Sequence, residues 1–397
     1  MRRSMGVESL RRRVASLAER AVSEDGARSG VLHLVVPRAG FDHAVAAGTA
    51  RADSGQPAGV GDRFHVASVG KMFTAVLVAR IAAAGLFGPR GLDTRISDIE
   101  AAHGRLVRSV HPESSRITLR HLLSHTSGLK DMITDDASGT AAELGGPAPQ
   151  SIAARFASCV AVERRGGASD GFARRRWVPF DPERFDDVSA GVLNLFVSSG
   201  TAASPVGSPG ERFHYSDTAY VLLGVLLEAV SGRPYHVLQR DQILDPLGMD
   251  STSMAYRDEP RNATTTEMDV WLGDAPLISD GFDLSFDWAG GGQISTTTDL
   301  IAFLRAVVSP ESGLVPHPNP LTQFGTPSGL THPRLAMGHG MFTWDAGGRP
   351  VIGHPGAWGV RVFHDPETDA WLAGTVNQNL ECSWMAEIFQ AVAETFL

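Results

Sequence analysis

Lysine, cysteine and long apolar segments are all scarce in this chain of 397 residues. The two cysteines, Cys159 and Cys382, lie too far apart in sequence to suggest a redox pair or a metal knuckle, so we expect two free thiols. No uninterrupted apolar run approaches the length of about 18 residues that crosses a bilayer. Acidic residues outnumber basic residues by 44 to 35, and no basic stripe stands out. The composition therefore argues against a disulfide scaffold and a membrane span, and it disfavours nucleic acid as a partner.

The first residues predict a helix rather than a secretory signal. Four apolar residues have the spacing of one helix face, with arginines and glutamates between them: Val7, Leu10, Val14 and Leu17. Arginines at positions 11–13 interrupt the apolar stretch that a signal peptide needs, so we expect a cytoplasmic protein. A helix lying on a membrane surface is the alternative, although its apolar face would be short.

The rest of the chain predicts a mixed α/β fold. Strand-like runs lie at 30–38 and 42–52 and again between 339 and 376, whereas apolar helical patterns lie at 68–84, 117–123, 218–230, 299–308 and 383–396. One antiparallel sheet built from both ends of the chain, with a helical region from its middle, is the architecture that this order favours. We divide the chain into an N-terminal helix at 1–27 and one domain at 28–397, within which 131–208 is a lid or specificity insertion.

The scarcity of lysine draws attention to one of the two lysines present. Of 35 basic residues only Lys71 and Lys130 are lysines. Arginine keeps its proton in proteins, whereas a lysine in a dry pocket can lose it and act as a base. Lys71 lies three residues after Ser68 at the start of the apolar helix, and positions three apart share a helix face. The apolar neighbourhood of this pair predicts a lowered pKa for Lys71. The alternative is a helix-capping serine followed by a lysine that reaches solvent.

Other catalytic motifs are missing from the chain. A phosphate-binding loop would need glycine and a hydroxyl residue where His65 and Met72 stand. No Gly-x-Ser-x-Gly elbow surrounds a serine, which argues against an α/β-hydrolase. His121 and His125 have the spacing of metal ligands on a helix, but the glutamate of a zinc protease is absent, so we expect structural histidines. We expect neither a metal nor an organic cofactor.

Six motifs, in their order along the chain, resemble the serine β-lactamase-like proteins. This group includes class C β-lactamases, D-alanyl-D-alanine carboxypeptidases, D-aminopeptidases and related esterases. The resemblance covers residues 28–397 apart from the insertion. The motifs are Ser68-x-x-Lys71, His-Thr-Ser-Gly-Leu at 125–129, Pro-Gly-Glu-Arg-Phe-His-Tyr-Ser-Asp at 209–217, Asp-Pro-Leu-Gly-Met at 245–249, Gly-Gly-Gly-Gln-Ile-Ser-Thr at 290–296 and Gly-His-Pro-Gly at 353–356.

The resemblance implies a role for each matching residue. It makes Ser68 the acylated nucleophile, Lys71 the base that helps to deprotonate it, and Tyr215 the group that carries a proton to the leaving group. A phenolate at Tyr215 would be favoured by the nearby cation. A tyrosine that only packs beneath the following helix is the alternative. The backbone N–H groups of Ser68 and Ala357 would form the oxyanion hole, and the residues implied to contact substrate are Asp217, His354, Gly356 and Trp358.

Two positions depart from the commonest pattern of the group. Asp217 stands where many members carry asparagine, and its charge should favour a protonated Lys71 and move the role of base toward Tyr215. His354 stands where β-lactamases carry a lysine, and a histidine holds a substrate carboxylate less firmly. Penicillin hydrolysis is therefore disfavoured.

The resulting functional prediction is hydrolysis of a small-molecule ester or amide through an acyl-enzyme on Ser68. A carboxylesterase is the first choice, and a D-amino-acid peptidase or amidase, or a β-lactamase, is the second. An acyltransferase and a non-catalytic binder that retains the pocket complete the alternatives. Arginines at 164, 165 and 174–176 of the insertion are either ligands for a substrate carboxylate or a solvated charged face.

Overall fold

The computed structural model describes residues 2–99, 103–135, 151–262, 264–325, 330, 334–380 and 383–397, with side chains from residue 6 onward. Cys382 lies outside these residues, and Cys159 is a buried free thiol. The helices are α1 Arg2–Ser23, α2 Gly70–Ala83, α3 Gly104–Ser109, α4 Leu119–Leu123, α5 Ile152–Arg164, α6 Val192–Ser198, α7 Asp217–Ser231, α8 Tyr235–Gln239, α9 Asp245–Leu247, α10 Thr297–Val308 and α11 Trp384–Phe396. The strands are β1 Ser29–Val36, β2 Phe41–Arg51, β3 Gln56–Pro57, β4 Phe64–His65, β5 Ser253–Met254, β6 Trp271–Leu272, β7 Ala275–Pro276, β8 Gln293–Ser295, β9 Arg334–Met337, β10 Phe342–Asp345, β11 Pro350–Gly356, β12 Val360–Asp365 and β13 Ala370–Thr375.

An eight-stranded antiparallel sheet joins the two ends of the chain, in the order β3-β2-β1-β13-β12-β11-β10-β9. Its central pair aligns Val31 with Thr375 and Leu34 with Leu372. The mixed α/β fold with an antiparallel sheet is therefore confirmed. The strand expected at 339–344 is displaced, because the chain forms β9 before that run and starts β10 at Phe342.

Both faces of the sheet are covered, and this explains why β1 is buried along its whole length. Leu32 and Leu34 point to a core formed with α1 and α11, whereas Val31 and Val35 point to the larger core shared with the central helices. Alternate side chains of a strand face opposite sides, so a mainly apolar run, broken only by His33 between Leu32 and Leu34, fits a strand covered on both sides.

Helix α1 packs its apolar stripe on this sheet. Leu10, Val14 and Leu17 are each no more than 3% exposed. Arg13 and Arg20 pair with Glu394 and Glu387 of α11. The apolar face that the sequence left open to a membrane surface is therefore covered by the protein itself.

Helix α2 lies in the middle of the larger core. Twelve of its fourteen residues are buried, as expected for a helix that is apolar on all sides. It contacts α7, which is equally apolar, and Phe73 stacks on Phe303 of α10 with ring centroids 3.8 Å apart. The residues that begin α2 are consequently held by packing on every side.

Among the described residues, no single helix combines the length and the apolar character needed to cross a bilayer. Two helical segments, Asp217–Ser231 and Tyr235–Leu247, meet that test of length and composition only when taken together, and they are bent by 82° with respect to each other.

Gly224 of α7 marks a close approach that we expect to be intolerant of a methyl group. A Cβ there would lie 2.5 Å from Cζ3 of Trp288 and 2.6 Å from Cβ of Ala289. Gly224→Ala should therefore lower the free energy of unfolding by about 2 kcal/mol, although alanine favours helices. Urea unfolding measures the change. Gly61→Ala is the matched control, because a Cβ at Gly61 has no neighbour within 4 Å; equal losses in both variants would contradict the prediction.

Candidate active site

Ser68 lies in a tight 3-10 turn at Ala67–Val69 that leads into α2, rather than inside the helix as the sequence suggested. Ala67 has φ of 48°, a left-handed conformation that costs a non-glycine residue about 1–3 kcal/mol. Two glycines allow the turn to pack closely. A Cβ on Gly70 would lie 1.9 Å from Oε1 of Gln293, and one on Gly291 would lie 2.5 Å from the carbonyl carbon of Ala67. The turn holds the half-buried Ser68 at the wall of a cavity.

The side chain of Lys71 lies beneath Ser68 with no exposure to solvent. Its Nζ donates to Oγ of Ser68 at 3.2 Å, to the carbonyl oxygen of Gly290 at 2.9 Å and to the carboxylate of Asp217. An ammonium has three N–H donors, so these three acceptors satisfy it fully. The predicted pair of Ser68 and Lys71 is in contact, and Asp217 completes it.

Lys71 is a cation in this arrangement. Burial on its own lowers the pKa of Lys71, but the carboxylate of Asp217 and, less strongly, Tyr215 and Asp287 raise that pKa well above its ordinary value. The lowered pKa expected from the apolar surroundings is therefore wrong. The reason is that the apolar residues near Lys71 in sequence are outweighed by a carboxylate that comes from α7.

Tyr215 packs against the same cluster. Its ring stacks on His125 at 4.2 Å between centroids, and Nζ of Lys71 lies 5.0 Å from the ring centroid. The buried hydroxyl makes no hydrogen bond of ordinary geometry among the described residues, although the side chains of Ser68 and Lys71 lie next to it. Burial raises the pKa of Tyr215 above its ordinary value, and the opposing effect of Lys71 does not offset this. Tyr215 is thus a phenol, and the expectation of a favoured phenolate is wrong because burial acts more strongly than the cation.

Two further carboxyl groups surround Asp217, and the sequence analysis did not single them out. Asp131 accepts hydrogen bonds from the backbone N–H groups of Asp217 and Ile133, each at 3.1 Å. Burial, reinforced by Asp217, raises the pKa of Asp131 to about 7. Burial and Asp217 also raise the pKa of Asp287 well above its ordinary value. Asp287 stands three residues before the glycine run at 290–292, which is the signal that could have drawn attention to it.

His354 is buried and neutral. Burial, with Lys71 as the second cause, holds its pKa well below the ordinary value. Its Nδ1 donates to the carbonyl oxygen of Pro355 at 2.6 Å, because a carbonyl can only accept. This side chain therefore supplies no fixed positive charge, in line with the weak carboxylate anchor expected from the sequence.

The end of β11 approaches the turn that carries Ser68. A Cβ on Gly356 would lie 2.5 Å from the carbonyl oxygen of Val66, so only glycine fits there. Ala357 and Trp358 follow directly and line the same cavity as Ser68. The structure thus places Ala357 and Ser68, the two residues of the predicted oxyanion hole, at the wall of one cavity.

This cavity has a volume of about 750 Å³ and unites almost all of the predicted site. Lys71 lies just behind its wall, in contact with Ser68. The remaining predicted residues line it directly: Ser68, Tyr215, Asp217, His354, Gly356, Ala357 and Trp358.

Arg334 is a lining residue that the sequence analysis missed. Its guanidinium lies over the rings of Tyr215 at 5.3 Å and Trp344 at 5.8 Å. In a chain with so many arginines, no local signal distinguishes this one. The arginines of the insertion have other partners: Arg164 pairs with Asp280, Arg174 with Glu163 and Arg176 with Asp283. They hold neighbouring segments together and do not line the cavity.

The two histidines at metal-ligand spacing have structural contacts. His121 belongs to the cap of α4, where its backbone N–H donates to Oγ1 of Thr118. Nδ1 of His125 accepts from the backbone N–H of Ser216, which holds the segment that carries Tyr215. Within the described ranges, no group of three or more histidine, cysteine, aspartate or glutamate residues could hold a metal ion.

The contact between Lys71 and Asp217 predicts a pH-dependent loss of stability when the carboxylate is removed. Asp217→Asn leaves a buried ammonium without its counter-ion, so the free energy of unfolding should fall by about 3 kcal/mol at pH 7. In the wild type the folded pKa of Lys71 is raised, so the pair stabilises the fold below the unfolded pKa and is lost only as the pH rises through the folded pKa. In the variant, burial without a counter-ion should bring the folded pKa of Lys71 below its unfolded value of about 10.4, so the loss of stability relative to the wild type should be smaller at pH 9 than at pH 7. Urea unfolding at pH 7 and pH 9 tests both effects.

Asp250→Asn provides the control, since Asp250 is an exposed carboxylate. We expect it to change stability by less than about 0.5 kcal/mol at either pH. A similar small change for Asp217→Asn would show that Lys71 and Asp217 do not stabilise each other.

Comparison with known proteins agrees with this geometry. The β-lactamase family model matches residues 15–394. Penicillin-binding protein 4 of Amycolatopsis lactamdurans is 24% identical over 371 residues, which cover 88% of this chain and 81% of that protein.

Two solved structures share the fold at low sequence identity. D-amino acid amidase from Ochrobactrum anthropi SV3, complexed with L-phenylalanine amide, has a TM-score of 0.67 at 21% identity over 98% of each chain. EstCE1, a hydrolase with promiscuous acyltransferase activity, has a TM-score of 0.70 at 19% identity over 98% of this chain and 99% of that one. Because the family model spans nearly the whole chain, the protein belongs to the β-lactamase family and has its serine-hydrolase fold.

Proposed function

We propose that the protein is a carboxylesterase that hydrolyses small neutral esters through an acyl-enzyme on Ser68. The observation that carries the proposal is the contact of Oγ of Ser68 with the fully buried ammonium of Lys71, at the wall of a cavity that also contains Tyr215. A serine hydroxyl needs such neighbours to become a nucleophile. The proposed substrate is a small molecule, and the cytoplasmic location inferred from the sequence stays a prediction.

In the proposed acylation step Tyr215 accepts the proton of Ser68 and donates its own proton to the leaving group. Oγ of Ser68 bonds to the ester carbonyl carbon and its proton passes to the oxygen of Tyr215. The original phenol proton of Tyr215 passes to the leaving oxygen as the bond between that oxygen and the carbonyl carbon breaks. Support comes from the state of the two groups: Tyr215 is a phenol whose hydroxyl has no other partner among the described residues, and Lys71 already carries its proton.

Lys71 in this scheme is a fixed positive charge rather than a base. Its N–H bond to Ser68 stabilises the negative charge that develops on Oγ, and the Lys71 side chain that supplies this bond has no exposure to solvent. The backbone N–H groups of Ser68 and Ala357 are proposed to bind the oxyanion. Water then attacks the acyl carbon by the same proton route with Ser68 as the leaving group, giving a carboxylic acid and free Ser68.

A second candidate function is hydrolysis of an amide that carries a protonated amine. The observation that favours it is the number of carboxyl groups in the cavity wall, which includes Asp131, Asp135 and Asp287. D-amino acid amidase has the same fold, and its name describes such a substrate. The neutral ester stays our first choice, because burial and Asp217 favour the uncharged forms of Asp131 and Asp287.

The nucleophile assignment predicts the outcome of one substitution. Ser68→Ala should lower kcat/KM on the best aryl ester by at least about a thousandfold, because no other residue accepts the acyl group, and thermal unfolding establishes that the variant is folded. Intact-protein mass spectrometry of rapidly quenched reactions should show the acyl adduct in the wild type only. Ser54→Ala, at an exposed serine, is the control and should keep full activity. An adduct of equal yield in Ser68→Ala would contradict the assignment.

The neutral state of His354 predicts a preference between substrate classes. A β-lactam presents a carboxylate that needs a firm cationic anchor, which a neutral histidine does not supply. We expect kcat/KM for short-chain aryl esters to exceed that for penicillins and cephalosporins by at least about a hundredfold, or roughly 2.7 kcal/mol. Steady-state kinetics on both classes measure the ratio.

His354→Lys supplies the missing charge and should narrow this ratio by improving β-lactam acylation more than ester hydrolysis. His103→Lys, at an exposed histidine, is the control and should leave the ratio of the two kcat/KM values unchanged. Comparable kcat/KM values for the two classes in the wild type would mean that His354 does not set the substrate class.

A further inference from the structure

The cavity beside Ser68 has an apolar wall for which the proposed chemistry has no use. This wall consists of the side chains of α5 and of the segment 272–286 that face the cavity: Ala153, Phe156, Ala157, Leu272, Leu284 and Phe286. Tyr215, Arg334, Trp344 and His354 form a separate group, related to one another by ring and cation contacts. The aromatic and charged groups around Tyr215 and an apolar surface thus share one cavity.

Phe156 is the centre of the apolar wall. It is 4% exposed, and its ring lies 5.7 Å from that of Phe286 and 6.2 Å from that of Phe282. Ala153 and Ala157 are four residues apart on the same helix face, and both line the cavity. Since their side chains end at Cβ, the helix leaves space beside Phe156 that longer side chains would fill.

Helix α5 is fixed relative to Ser68 and Lys71 by backbone hydrogen bonds. The N–H of Ile152 donates to the carbonyl oxygen of Met132 at 3.1 Å, and that of Ala153 donates to Ile133 at 3.0 Å. The N–H of Met132 in turn donates to Oγ1 of Thr218, the residue after Asp217. The helix start is therefore connected to the carboxylate that holds Lys71.

The other end of α5 is tied to the second half of the wall. Arg164 pairs with Asp280 at 3.0 Å and donates to the carbonyl oxygen of Asp274 at 3.2 Å. Arg174 donates to the carbonyl oxygen of Asp280 as well. These contacts hold the segment 272–286 against α5, so the distance between the two apolar surfaces is set by the fold.

We propose that this wall is a subsite for an apolar acyl group and that Ala157 sets how large that group can be. The proposal rests on the esterase function proposed above, because the acyl carbon must be bonded to Ser68 in the same cavity. A volume of about 750 Å³ is in the range that accommodates a whole drug-sized ligand and far exceeds the need of an acetyl group. The substrate class is an ester of an uncharged aliphatic or aromatic carboxylic acid. The apolar side chains of the wall offer no partner to a charge on the acyl group.

The test uses a series of p-nitrophenyl esters: acetate, butyrate, hexanoate and phenylacetate. Each kcat/KM is divided by the hydroxide-catalysed rate of the same ester, which removes differences in intrinsic reactivity. For the wild type we expect a rise of about threefold for each methylene between acetate and butyrate, because each added CH2 is buried against the wall. Phenylacetate should exceed acetate by at least about tenfold.

A pair of variants on one helix isolates the wall. Ala157→Phe fills the space beside Phe156, so it should lower the values for hexanoate and phenylacetate by at least about tenfold and leave acetate within about twofold. Ala154→Phe introduces the same side chain on the same helix at an exposed position that does not line the cavity. It should leave all four esters within about twofold. Thermal unfolding establishes that both variants are folded.

The outcomes separate this proposal from the esterase function on which it rests. A Ser68 adduct from acetate together with equal values across the wild-type series would overturn the acyl subsite and leave the esterase standing. The acyl subsite would also be overturned if Ala157→Phe lowered the normalised kcat/KM for acetate as much as that for hexanoate, or if it lowered neither value. The absence of any Ser68 adduct from all four esters would overturn the esterase function and the subsite together. The wild-type series needs no variant and decides the matter even where Ala157→Phe fails to fold.

Discussion

A charge without access to water organises the centre of this molecule. The ammonium of Lys71 is completely buried, and isolating such a group from solvent costs several kcal/mol unless protein groups replace the water. Asp217, Gly290 and Ser68 are those groups, and each comes from a different part of the chain. Helix α2, the start of α7 and the glycine run at 290–292 must therefore meet at one point. Ser68 is held in position because its hydroxyl accepts one of the three hydrogen bonds that the buried ammonium of Lys71 donates.

Sequence spacing could predict that Ser68 and Lys71 meet, and the motif that contains Asp217 suggested a protonated Lys71, but neither could show how burial changes the ionisation of the site. Ser68 and Lys71 are one turn apart, so local geometry was enough to pair them. The pKa of Lys71 depends on Asp217, which is 146 positions away, and the pKa of Tyr215 depends on how deeply the fold buries it. Asp287 escaped prediction for a similar reason, since its effect on Lys71 arises only when three separate segments are packed together.

The fold was predictable where long segments are mainly apolar. Strands β1 and β13 and helices α2 and α7 are such segments, since both faces of each strand and most sides of each helix are buried. The insertion was harder to interpret, because its described part combines scattered buried apolar side chains, such as Phe156 and Trp177, with ion pairs to distant carboxylates, such as that of Arg164 with Asp280. The sequence around an arginine does not show whether its side chain pairs with a distant carboxylate or extends into solvent. The ion pairs of the arginines in the insertion could therefore not be inferred before the structure was known.

The pairing of the first long strand with the last has a consequence for the order in which the chain can fold during synthesis. Val31 acquires its sheet neighbour Thr375 only after all the residues between them have been translated. At the ribosome, β1 and β2 must wait as a hairpin with one unpaired edge, and such edges are prone to pair with other chains. Most of the central helical region is complete once residue 308 has been translated, so it can assemble earlier than the sheet. Completion of the sheet is then the late event that fixes β11, and with it Gly356 and Ala357, beside a turn containing Ser68 that is already in place.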